Sequence, residues 1–80
     1  MKELERLKER KKQEHRRGDI RKVCEKSKLS PSLFYSAFRK IYIEELNDNE
    51  KIILQVYIEL LDERKREEKK LKKIIASSPL

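Results

Sequence analysis

Hydroxyl and guanidinium side chains gather in one short run of this sequence: Ser30, Ser32, Tyr35, Ser36 and Arg39. These groups hydrogen-bond phosphate oxygens and base edges, and none is poised as a general base. Groups for catalysis are sparse. His15 is the only histidine and stands in a charged stretch, and Cys24 is the only cysteine. The carboxylates fall at helical surface spacing beside Lys or Arg, as solvated pairs do. With Gly18 the sole glycine, there is no glycine-rich phosphate loop. The chain is therefore expected not to be an enzyme. A lone cysteine forms no internal disulfide or cysteine-based zinc site, and no metal or cofactor is expected. Cys24 reads as a small core residue rather than a reactive thiol.

The elements that must position the hydroxyl run lie in residues 20–39, IRKVCEKSKLSPSLFYSAFR. Val23 and Cys24 suit the inner face of a first helix, expected over residues 19–27. A short polar turn leads to Leu29. Ser30-Pro31 then starts a second helix, expected over residues 31–40, with Ser30 as N-cap and proline at the first helical position. Phe34 and Ala37 face the first helix at helical spacing. Ser32, Tyr35, Ser36 and Arg39 are left facing outward. Two short helices around a tight turn form the unit that places its second helix in the DNA major groove.

The order from Cys24 to Ala37 resembles the helix-turn-helix of bacterial and phage transcription regulators. Those sequences often run small-x-x-x-Gly-apolar-Ser-x-x-x-apolar-x-x-apolar, frequently with Ser-Pro-Ser at the second helix. The likeness covers about a quarter of the chain and departs at two positions. Lys28 stands where a turn glycine is usual, so a left-handed conformation there has a cost. Ser27 stands where an apolar residue is usual, so the first helix buries less. The resemblance implies a sequence-specific double-stranded DNA binder, often dimeric on a two-fold site. Such proteins act as transcriptional regulators or mobile-element accessory factors. Base-facing candidates are then Ser32, Tyr35, Ser36 and Arg39. Phosphate candidates are Arg16, Arg17, Lys22, Lys26, Lys28, Ser30 and Lys40.

Charge agrees with a polyanionic partner. The 80 residues carry 22 Lys and Arg against 15 Asp and Glu, a net charge of +7. Residues 1–17 hold eight bases against four acids, and residues 18–46 six against four. The excess thus sits at the N-terminus and the presumed reading unit. With 36% hydrophobic and 46% charged residues, one small core is expected, and self-association is a common remedy for a core of this size. No apolar run is long enough for a signal peptide or a membrane span, so a cytoplasmic protein without a membrane partner is expected.

The expected fold is all-α, a small helix-turn-helix bundle with a long charged C-terminal helix. Residues 1–17 read as a basic helix with a short apolar stripe of Met1, Leu4 and Leu7, separable from the core and closed by Gly18, with Asp19 capping the next helix. Residues 18–61 read as the core domain. Within them, residues 41–46 read as a helix end and connector with Ile41, Ile43 and Leu46 inward. Asn47 and Glu50 form a capping box for a helix whose stripe is Ile53, Val56, Tyr57, Leu60 and Leu61. Ile52, Leu54 and Ile58 make that helix apolar on further faces, which points to a homodimer. Residues 62–80 read as a charged helical extension with i,i+4 pairs Asp62–Arg66 and Glu68–Lys72, broken at Ser77-Ser78-Pro79. No ligand-binding domain is expected within these 80 residues, so no small-molecule effector is inferred. Two rival readings stand beside DNA binding: a protein-interaction module, such as a small phage-borne inhibitor or adaptor on the same scaffold, and a binder of structured RNA through the basic helix.

Overall fold

The longest helix begins where two side chains exchange hydrogen bonds with backbone. In the computed structural model, which describes residues 3–77, the Glu50 amide donates to Asn47 Oδ1 at 2.8 Å and the Asn47 amide to Glu50 Oε1 at 2.9 Å. This reciprocal box starts α4, Asp48–Ser77, a rod of 30 residues and about 45 Å at 1.5 Å per residue. Before it come α1, Glu3–Glu14, α2, Asp19–Ser27, and α3, Pro31–Phe38, with a 3-10 turn at Ile43–Glu45. No strand occurs among the described residues. The fold is all-α, and α4 accounts for its elongation to 51 Å.

The core is a layer of side chains between α4 and the three shorter helices. Ile53, Tyr57 and Leu61 of α4 and Phe34 of α3 have no exposed surface; Val23 of α2 and Ala37 of α3 are as closely covered. Each large apolar side chain buried this way contributes about 1.5–3 kcal/mol. Phe34 meets Tyr57 edge-on at 4.9 Å between ring centres, and Phe38 does so at 5.8 Å. Lys11 of α1 closes the cluster, its ammonium 4.9 Å from the Phe38 ring centre.

Several expectations are corrected here. α1 is not separable: Leu4 and Leu7 are buried, packed with Leu46 and Leu54. The charged sequence hid this because two leucines suffice when α4 offers a matching apolar face. Met1 and residues 78–80 lie outside the described residues. Ile41 and Ile43 are exposed, at 40% and 43%, and only Leu46 of that trio points inward, since the 3-10 turn rotates the chain away from the core. Leu54, assigned to an outer face, is buried under α1. Asp62 and Glu68 bind Arg10 and Arg16, at 2.6 and 2.7 Å, and not their helical neighbours.

Two residues adopt left-handed backbone, Gly18 at φ 89° and Lys28 at φ 60°. Gly18, in place of Asp19, occupies the N-cap position of α2. Lys28 ends α2, its amide donating to the Cys24 carbonyl at 2.8 Å. A non-glycine residue there carries about 1–2 kcal/mol of strain. Lys28→Gly is therefore expected to stabilise the fold by about 0.5–1 kcal/mol, offset in part by chain entropy in the unfolded state. A lowered urea midpoint for Lys28→Gly would show that the lysine makes a compensating contact.

Candidate nucleic-acid interface

α2 and α3 are joined by the turn of residues 28–30, and the back of this pair is fastened to α4. Glu50, almost fully buried, accepts a 2.6 Å hydrogen bond from Ser36 Oγ while its other oxygen caps α4. The Ser36 hydroxyl first, then the Asn47 amide, hold the Glu50 carboxyl below the usual glutamate range; burial opposes this and Lys40, 3.9 Å away, assists. One side chain thus sets both the start of α4 and the rotation of α3 against it.

A second buried carboxylate fixes the other end of the unit. Asp19 receives a two-pronged contact from Arg64, Nη2 to Oδ1 at 2.5 Å and Nη1 to Oδ2 at 3.1 Å, and a 2.8 Å bond from the Arg16 amide. Arg64 also donates to the Glu14 carbonyl at the end of α1. Burial pushes the Asp19 carboxyl up, but Arg64, the Arg16 amide and His15 together bring it below its ordinary value. His15 shares a 2.8 Å hydrogen bond with the Tyr57 hydroxyl. Burial lowers the His15 pKa against the pull of Asp19, with Lys11 and Arg64 adding to the lowering. Burial first, and then Asp19, push the Tyr57 phenol up to about 12.

Three of these shifts, unlike that of Tyr57, share one sign. His15, Asp19 and Glu50 all hold their protons less tightly folded than unfolded, so their stabilisation is complete above the unfolded values and declines as pH falls. The melting temperature is expected to be flat near pH 7 and to drop on acidification, first below the ordinary histidine value of 6.5, then below the ordinary aspartate and glutamate values of 3.8 and 4.5. His15→Gln is expected to remove the first decline. A melting temperature that rises as pH falls from about 7 to about 5 would contradict this arrangement.

Among the residues proposed to face a ligand, Ser32 and Tyr35 are exposed on α3; Arg39 is exposed as its C-cap residue, since the helix expected over residues 31–40 ends at Phe38. Ser36 is not available: it turns toward α4, because the α4 N-terminus passes close beside that edge of α3. Ser30 stands at the N-cap of α3 but makes no side-chain cap bond; its hydroxyl lies 2.8 Å from that of Ser32 instead. Of the phosphate candidates, Arg17, Lys22, Lys26 and Lys28 are exposed and make no ion pair. Arg16 is taken by Glu68, and Lys40 reaches Glu50 and the Glu45 carbonyl. The capping role of Glu50 and the core position of Tyr57 follow from the sequence; the Asp19–Arg64 pair, the bond from Ser36 to Glu50 and the His15–Tyr57 bond carry no local signal. His15, for all its charged neighbours in the sequence, is half-buried.

Comparison with protein-family models, with curated proteins and with solved structures returns no match for this chain.

Proposed function

We propose that this chain binds double-stranded DNA sequence-specifically through α2 and α3, as a small transcriptional regulator or mobile-element accessory factor. The supporting observation is the charge of the exposed unit. From residue 19 to residue 39 there are two carboxylates; Asp19 is buried against Arg64, and Glu25 pairs with Arg21 at 3.1 Å. Lys22, Lys26, Lys28 and Arg39 remain exposed without an acidic partner, around a helix presenting Ser32 and Tyr35. Cations for phosphates flanking hydrogen-bonding groups for base edges are the composition a groove-reading helix needs.

The test is selection of bound sites from a random duplex pool, followed by titration at two salt concentrations. A selected motif and a negative salt slope are expected. Arg39→Ala should weaken the selected site by about 1–3 kcal/mol and relax preference at one or two positions. Lys28→Gly should weaken all duplexes alike. Equal losses on selected and random DNA for Arg39→Ala would move Arg39 to the phosphate class; no duplex binding at either salt would refute the proposal.

A second reading, a protein-interaction module, draws on Ile41, Tyr42 and Ile43. These are exposed large apolar side chains in one run directly after α3. It gains ground if duplex fails to bind.

A further inference from the structure

The last part of α4 continues the pattern of the core past the end of the core. Leu71 and Ile75 fall fourteen residues, close to four helical turns, after Tyr57 and Leu61, and so lie on the same line of the helix. The last tie from the rest of the chain is Arg16 on Glu68. Beyond it Leu71, Ile74 and Ile75 are 57%, 55% and 60% exposed. Around them stand Lys69, Lys70, Lys72 and Lys73, and residues 69–77 contain no carboxylate. This is an apolar patch in a cationic frame. Pairing two such segments would bring eight lysines together, so the surface is suited to an acidic partner and not to itself.

The same chain carries the opposite surface. An open groove of about 240 Å³ is walled by Leu4, Leu7, Ile43, Leu46, Leu54 and Ile58. Glu59 stands on its edge, and Glu44, Glu45 and Asp48 flank its wall residues in the chain. All four are exposed and make no ion pair; the bases nearby are Lys51 in the lining and Arg6 and Lys8 beside Leu7.

We propose that residues 69–77 of one copy dock in this groove on a second copy, Leu71 and Ile75 entering it and the lysines meeting the flanking carboxylates. Helical geometry makes the contact head-to-tail. Leu54 and Ile58 continue along α4 as Lys65, Lys69 and Lys72, so a two-fold antiparallel pairing of α4 through the groove would bury lysines in place of Leu71 and Ile75. In this proposal a heterologous contact takes the place of the two-fold dimer expected from the sequence, and such a contact does not stop at two copies: it runs on into a ring or a filament. The inference stands independently of DNA binding.

Sedimentation velocity on the full chain tests it. The mean mass should rise with concentration without a plateau at the dimer, and association should weaken as salt is added. Leu71→Glu, with an intact groove, and Ile58→Glu, with an intact overhang, should each lose association while keeping the helical spectrum. Mixed, the two should form a one-to-one heterodimer that grows no further. If Ile58→Glu fails to fold, the exposed pair Glu44→Lys and Glu45→Lys replaces it in the same mixing experiment. A monomeric wild-type chain at every concentration, or a mixture that stays monomeric, overturns the proposal. So does a wild-type chain that stays monomeric yet pellets with phosphatidylglycerol vesicles in a Leu71-dependent way, which would assign the overhang to a lipid surface.

Discussion

Arg64→Ala is expected to destabilise the protein by about 3–5 kcal/mol, because it leaves the Asp19 carboxylate buried with its main counter-charge gone. Asp19 is 1% exposed, and Arg64 also holds the Glu14 carbonyl, so one truncation loosens α1, α2 and α4 together. A chain of 80 residues has about 4–12 kcal/mol of stability in all, so the variant is expected to be largely unfolded or to melt well below the wild type. The double variant Asp19→Ala, Arg64→Met should recover part of the loss, since no unpaired charge remains inside. Urea denaturation followed by circular dichroism gives both numbers. A single-variant loss under about 1 kcal/mol would place the pair with ordinary surface bridges.

Removing residues 1–17 is expected to abolish cooperative folding. The deletion uncovers Leu54 and Leu46 by taking away Leu4 and Leu7, lifts Lys11 from the Phe38 ring, frees the Tyr57 hydroxyl from His15 and strips the Arg16 amide from Asp19. The two leucines alone contribute about 3–6 kcal/mol, comparable with the whole stability of a domain this small. A truncated chain that keeps its helical signal and a sharp melt would make α1 an accessory arm after all.

Local grammar was readable in this sequence and distant partnership was not. The Asn47–Glu50 box, the start of α3 at Pro31, the span of α2 and the cost at Lys28 each rest on a few adjacent residues, and each appears in the structure. The apolar stripe of α4 was likewise visible as periodicity. Arg64 sits in a wholly charged run, and nothing near it distinguishes it from Lys65 or Arg66. Its partner is 45 residues away, as His15 is 42 from Tyr57 and Arg16 52 from Glu68. Which charge of such a run turns inward depends on where another helix ends. The outward assignment of Ser36 failed for the same reason: a helical wheel marks the face toward α2, but not the edge that α4 crosses. The reading-face assignments of Ser32, Tyr35 and Arg39 rest on exposure alone, which a wheel does supply.

With its hydroxyl committed to Glu50, Ser36 is mute toward any duplex, and α3 with its C-cap residue is left with a vocabulary of one hydroxyl, one phenol and one guanidinium in Ser32, Tyr35 and Arg39. On the DNA reading, each correct base pair is worth about 1–3 kcal/mol, while a genome offers roughly 10⁶–10⁹ competing sites. One copy therefore spells too short a word to be found alone. Copies joined head-to-tail as proposed would be related by a repeated rotation and shift and not by a two-fold axis. The phrase they would recognise is a tandem repeat, not the palindrome that a two-fold reader requires.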